Sequence, residues 1–386
     1  MSWAVRTLGE VAEVSWGNTS VTKKSYIADG VQAYSASGPD GFVAWAEHDS
    51  PGVVVSAIGA QCGKTWYARG SWTPIKNTLW FRSFDPDVET QYLYYATIDP
   101  EIWPRRGAAQ PFISKGDAQK LPVKLPSLQI QRAVIVVLQT LDDLIENNRR
   151  RIEILEETAQ LLYREWFVNF RLPGHADVEF IDSELGLIPA SWHVLPFARV
   201  ADFVNGFAFK PMHWLEEGLP IVKIKELKNG ISKETPRYHG LDIKKKFFVD
   251  DGSVLFSWSA DLDVYMWSSG PALLNQHLFD VRPREVSPLY IYLALKNRMP
   301  EFRSRAQGTT MRHIKRSALD EVRLVVAPPQ VREAFESQAG PMLKLRLNLE
   351  HQVQLLLQAR DLLLPRLVSG ELDAWDLDLE LEAVGV

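Results

Sequence analysis

The chain has 386 residues, of which 46% are hydrophobic, and a formal net charge of −5. That length accommodates two domains with cores of their own, and the apolar content excludes a disordered chain. A single cysteine, Cys62, excludes an internal disulfide framework; the first ten residues lack an apolar signal core, and the apolar run 134–138 is too short to cross a bilayer, so a soluble cytoplasmic protein is expected.

Residues 1–126 read as a mixed α/β module. Buried strands are expected at 53–58 and 78–81, and a short helix at 89–98 around Tyr92, Leu93 and Tyr95. A long helix is expected over 127–170. Its apolar seam runs Val134, Leu138, Leu141, Ile145, Asn148, Ile152, Leu155, Ala159, Leu162, Trp166 in steps of three or four, the spacing of a coiled coil. Asn148 sits on that seam, where a polar residue lowers stability and can fix register. Residues 171–189 read as a linker.

A second module is expected over 190–327, with strands near 254–256 and 276–279 and a helix near 290–295. It restates the first. Trp3, Val5, Leu8, Val11 and Ala12 return as Trp192, Val194, Phe197, Val200 and Ala201, shifted by 189; Gly107, Ile113, Leu121 and Gln129 return as Gly308, Ile314, Val322 and Gln330, shifted by 201. The second copy therefore gains 12 residues between those anchors. A shared frame around divergent middles points to two modules doing one kind of job on two targets.

A second long helix is expected over 328–370, broken at Gly340-Pro341. It is apolar on more than one face, since Leu355-Leu356-Leu357 and Leu362-Leu363-Leu364 cannot all meet one partner helix. Antiparallel pairing of the two helices would relate the modules by a pseudo-two-fold axis. About 35 helical residues make a rod of roughly 50 Å, near one and a half turns of B-DNA at roughly 34 Å each.

Charge is unevenly spread. The acidic tail 371–386 holds six carboxylates and no Lys or Arg, which leaves the rest near +1 (−5 + 6). Residues 302–319 hold five basic side chains and no acid, a pattern that fits phosphate contact as well as a solvated surface.

No catalytic constellation emerges. Gly59-Ala60-Gln61-Cys62-Gly63-Lys64-Thr65 looks like a nucleotide-binding loop but has three residues between its glycines where four are needed. Glu226-Leu227-Lys228 has a nuclease-like spacing without the upstream carboxylate partner. None of the eight histidines is paired at metal-ligand spacing, and no adenine-methyltransferase motif is present.

Four stretches carry a family resemblance: Trp3-Ala4-Val5-Arg6-Thr7-Leu8-Gly9-Glu10-Val11, Gly186-Leu187-Ile188-Pro189-Ala190-Ser191-Trp192, Leu125-Pro126-Ser127-Leu128-Gln129-Ile130-Gln131-Arg132 and Leu362-Leu363-Leu364-Pro365-Arg366-Leu367-Val368-Ser369-Gly370-Glu371-Leu372. In that frame, over nearly the whole chain, the sequence resembles the specificity subunit of type I restriction–modification systems. The resemblance implies two target-recognition domains that each read half of a bipartite, asymmetric target in double-stranded DNA. It implies paired helices that set the spacer and dock two modification subunits, which hold S-adenosylmethionine and methylate adenine. Restriction subunits join through these. The chain itself would be non-catalytic and bind no cofactor or metal.

A DNA reader needs cations for phosphates and polar side chains for base edges. Candidates in the first module are Arg105, Arg106, Gln110 and Lys115, with Lys64 and Arg69 as second choices. In the second they are Arg303, Arg305, Thr309, Thr310, Arg312 and Lys315, with Lys223 and Lys225 as second choices. Candidate partner contacts are Leu355, Leu357, Leu362 and Leu364 on the spare helix face, with Trp166 and Phe167 closing the first helix. A different class stays open: a protein scaffold that docks partners on its helices and never touches DNA.

Overall fold

The computed structural model describes residues 3–174, 178–308 and 312–374. The chain divides into two compact units, residues 1–144 with 356–386, and residues 145–355. Each long helix contributes one segment to each unit.

The first unit is built on a four-stranded antiparallel sheet in the order Ala12–Trp16, Thr78–Ser83, Gly52–Ser56, Thr65–Ala68. Every residue of Gly52–Ser56 is buried, as expected for a strand covered on both faces, and its Val53-Val54-Val55 run suits it to that position. A second sheet joins Gly38–Val43, Val31–Ser35 and Trp72–Pro74. Helix Thr90–Thr97 buries Tyr92, Leu93 and Tyr95, and a two-stranded pair, Ala4–Thr7 with Pro122–Leu125, closes the module. The core runs from Leu8 and Phe81 through Val134 and Leu138 to Leu367 and Ala374, so both helix segments belong to it. Truncating a fully buried leucine such as Leu138 to alanine would cost about 2–5 kcal/mol.

The second unit repeats this plan. Its four-stranded sheet runs Ala201–Asn205, Leu278–Pro283, Val254–Ser257, Asp263–Met266. A second sheet joins Arg237–Tyr238, Leu219–Val222, Ala272–Leu274 and Phe248–Val249. Helix Pro288–Ser304 packs Tyr290, Ile291 and Leu293 into the core. The added residues of this module fall largely on one side. Where Ala36–Ser37 joins Val31–Ser35 to Gly38–Val43, the counterpart strands Leu219–Val222 and Arg237–Tyr238 are joined by 223–236, which contains the short helix Ile224–Asn229. The segment 171–189, expected as a linker, holds an antiparallel hairpin of Phe180–Ser183 and Gly186–Pro189.

The long helices are Leu128–Phe167 and Pro329–Ser369. Within each unit they run antiparallel. In the first unit Arg360 meets Asp142 at 3.3 Å. In the second, Arg346 lies 3.5 Å from Glu156, and Phe335 stacks edge-on against Tyr163, Trp166 and Phe167. The expected break at Gly340-Pro341 does not occur, and helix runs through both residues. A proline clashes with the Cβ of the residue before it in helical conformation, and Gly340 has none. Pro341 still forfeits one backbone hydrogen bond and crowds the preceding turn, and the helix continues through Pro365 after Leu364 as well.

Candidate nucleic-acid interface

Each module presents a short β-bridged loop beside the turn that leaves its central strand. In the first, Arg106 and Phe112 exchange backbone hydrogen bonds at 2.9 Å in each direction, and Phe112 also bridges Ile58. In the second, Gln307 pairs with His313, and His313 bridges Ser259. These are the same pairs shifted by 201, so the sequence repeat is a repeat of backbone pairing. Gly107 makes the tight reversal possible: its φ is +80°, and a Cβ there would lie 2.7 Å from the Gln110 carbonyl oxygen.

The neighbouring turn, residues 59–64, does not cradle an anion. The amides of Gly59, Cys62, Gly63 and Lys64 donate to the carbonyls of Pro111, Gly59, Ser56 and Gln61. A phosphate loop needs those amides free, so nucleotide binding at this turn is excluded. Glu226 is likewise structural: buried on the short helix, it accepts from the Lys223 amide at 3.1 Å and from Thr235 Oγ1 at 3.4 Å. Lys228 pairs with Asp261. Among the described residues no group of three or more His, Cys, Asp or Glu side chains could hold a metal ion.

The basic candidates separate into two groups. Lys64 on the turn and Arg312 and Lys315 after the second loop are exposed, and Lys115 is half-buried; none of the four forms an ion pair among the described residues. The others are engaged. Arg105 donates to the Pro100 carbonyl at 2.5 Å and pairs with Glu101 at 3.0 Å. Arg106 pairs with Asp117 at 2.5 Å, and this bond, with that from Ser114, holds the Asp117 carboxyl below its usual range. Arg69 meets Asp143 at 3.3 Å. Lys225 lies 3.5 Å from Glu234. Lys223 sits 5.8 Å from the Trp214 ring centre.

Arg303 and Arg305, expected as phosphate contacts, are likewise engaged within their own domain. Arg303 donates to the Leu262 carbonyl at 3.0 and 3.1 Å, and Arg305 pairs with Glu301 at 3.1 Å and Glu321 at 3.4 Å. Both side chains stay partly exposed, Arg303 at 48% and Arg305 at 34%. Gln110 is exposed on its loop. Thr309 and Thr310 lie outside the described residues, as does the acidic tail from residue 375.

On the helices, Trp166 and Phe167 are 5% and 2% exposed within the second unit's core, packed on Phe335, Trp192 and Tyr290. They are therefore withdrawn as partner contacts: the fold itself covers them. Leu357 and Leu364 are half-buried, and Leu364 packs on the first unit's core. Leu355 in the second unit and Leu362 in the first are 65% and 62% exposed. Exposed apolar side chains that were not anticipated are Met212, Trp214 and Leu241 in the second module. Composition hides them, because a lone tryptophan ordinarily belongs to a core; only comparison with the first module, below, marks them out.

The architecture is thus two copies of one α/β module, each packed on segments of two long antiparallel helices. A family model for the type I restriction modification DNA specificity domain matches residues 1–157 and 189–331. The chain belongs to this family, the specificity subunits of type I restriction–modification systems. It is 24% identical to the MjaIX specificity subunit of Methanocaldococcus jannaschii, over 97% of this chain and 94% of that one. It is 20% identical to the HindI specificity subunit of Haemophilus influenzae, over 69% and 72%. The crystal structure of an S subunit from M. genitalium shares the fold with a TM-score of 0.60 at 16% identity, covering 95% of this chain and 96% of that chain. The role that follows is DNA sequence specificity within a restriction–modification complex. No described helix is long and apolar enough to cross a membrane.

Proposed function

We propose that the chain reads a bipartite, asymmetric DNA target, one half-site per module, and carries no catalytic step itself. The observation that carries this reading is the repeat: the pairs Arg106–Phe112 and Gln307–His313 match in backbone, while the sequences between them, 107–111 and 308–312, differ. Equivalent frames with different loop chemistry suit two half-sites of different sequence. Lys64, Lys115, Arg312 and Lys315 supply phosphate contacts beside those loops, which orient the module without reading sequence. Gln110 is positioned for a base edge.

The helices, uninterrupted over 40 and 41 residues, set the gap between half-sites by their length. Their exposed leucines, Leu355 and Leu362, dock two modification subunits, which hold S-adenosylmethionine and transfer its methyl group to adenine. Restriction subunits join the complex through these.

The test is to co-express the chain with the methyltransferase encoded beside it and to map methylated adenines genome-wide. A two-part motif with a fixed gap is expected. Stable co-purification with no methylated motif would favour a docking scaffold that does not read DNA, and failure to co-purify would overturn the docking role.

A further inference from the structure

The helical turns Lys23–Ser25 and Pro211–His213 are counterparts in the two modules, and an aromatic residue follows each directly. In the first module that residue, Tyr26, is absorbed by its own domain. Its hydroxyl donates to Asp40 Oδ1 at 2.6 Å, its ring lies so close over Gly41 that a Cβ there would approach to 2.1 Å, and it packs on the cluster of Val21, Ala33, Val43 and Ile75. In the second module the counterpart, Trp214, is 54% exposed. The cluster behind it, Ile221, Tyr238, Ile243 and Leu273, is complete without it.

Trp214 is not alone. Met212 is 77% exposed and Leu215 43%. Between Met212 and Trp214, His213 is buried, and its Nδ1 accepts from the Lys210 amide at 2.9 Å, so the turn that carries them is anchored. Lys210 is exposed beside them, and Lys223 Nζ stands 5.8 Å from the Trp214 ring centre. Two carboxylates, Glu216 and Glu217, follow in the bend before Leu219, beyond the turn that carries Met212. An apolar projection flanked by lysines matches a nucleic-acid duplex, whose stacked bases accept an apolar wedge while its phosphates need cations on either side.

We propose that Trp214, with Met212, is a wedge that the second module presses against a base step of double-stranded DNA, with Lys210 and Lys223 on the flanking phosphates. The first module has no such wedge, because Tyr26 is held down on Gly41. The proposal rests on the reading of this chain as a DNA specificity subunit, and it adds a contact outside the loop around Arg312.

The test uses the chain assembled with its modification subunit and duplexes carrying the mapped target. 2-Aminopurine, which brightens when unstacked, replaces successive bases across the half-site of the second module and its flanks. Wild-type complex should raise emission at one step. Trp214→Ala should abolish that rise and weaken DNA binding about tenfold, and Trp214→Phe should keep most of both. The wedge is overturned if Trp214→Ala binds and brightens the probe as wild type does. It is equally overturned if Trp214→Ala stays folded but no longer assembles with the modification subunit, which would make the patch a protein contact. A wild-type complex with no sequence-specific DNA binding would overturn the specificity reading and the wedge together.

Discussion

Asn148 Nδ2 donates to Gln352 Oε1 at 3.2 Å, joining the two long helices within the second unit. Asn148 is 6% exposed, one seam position among apolar ones such as Ile145 and Ala159. Leucine there would bury more apolar surface and leave Gln352, which is exposed, to solvent. Asn148→Leu should therefore raise the melting temperature by a few degrees, on the order of 1 kcal/mol. It should also loosen the pairing register, measurable by disulfide trapping between cysteines placed along the seam. A lower melting temperature would show that the amide pair is stabilising in its own right.

Leu355 and Leu362 give the proposed docking role a clean test, because both are exposed and neither supports a core. Leu355→Glu with Leu362→Glu should leave the unfolding free energy of the isolated chain within about 0.5 kcal/mol of wild type. The same pair should abolish co-purification with the modification subunit. Unchanged co-purification would move docking elsewhere.

Arg312 and Arg303 lie close in sequence but differ in what they hold. Arg312→Ala should weaken DNA binding at all sequences and flatten the salt dependence by about one unit of slope. Arg303 ties its helix to the Leu262 carbonyl, so Arg303→Ala should lower the thermal stability of the second module by about 1–2 kcal/mol. Titrations at several salt concentrations, alongside melts, separate the two effects.

The Arg106–Asp117 pair withholds one cation from the first module's loop. Asp117→Asn keeps an oxygen for Ser114 and frees Arg106, so DNA affinity at low salt should rise and the salt slope steepen by about one unit. The pair also has a pH signature. Its folded carboxyl lies below the unfolded value of about 3.9, so its stabilising contribution is present above that value and lost as pH falls through the folded one. Wild type and Asp117→Asn should thus differ in melting temperature near neutrality and converge in strong acid.

Much of the frame could be read from residue spacing. The 201-residue shift survives as paired backbone bridges because each loop needs a glycine at its reversal, and Gly107 and Gly308 both take positive φ. The seam from Val134 to Trp166 shows because burial along a helix imposes a period. Exposure was harder to read. Trp166 and Phe167 looked like a partner surface because a heptad pattern marks which side is apolar, not which neighbour covers it. Gly340-Pro341 looked like a break because the pattern weighs proline alone, whereas helix continues through Pro341, as it does through Pro300 after Met299 and Pro365 after Leu364. Arg303 and Arg305 looked free because their partners include the Leu262 carbonyl and Glu321, distant in sequence. Trp214 gave no signal until its counterpart Tyr26 was seen packed over Gly41 and bonded to Asp40.

The first unit is completed by segments from both ends of the described chain. Its core includes Leu367 and Ala374, and the ring of Trp3 lies against Gly370, whose φ of +80° and missing Cβ admit it. The second unit, residues 145–355, is one continuous stretch. During synthesis the module written second can therefore close while the module written first still waits for its last helical turns. A released chain ending near residue 355 would hold every residue of the second unit beside an unfinished first one, with Val134 and Leu138 lacking Leu367 and Ala374 from their core.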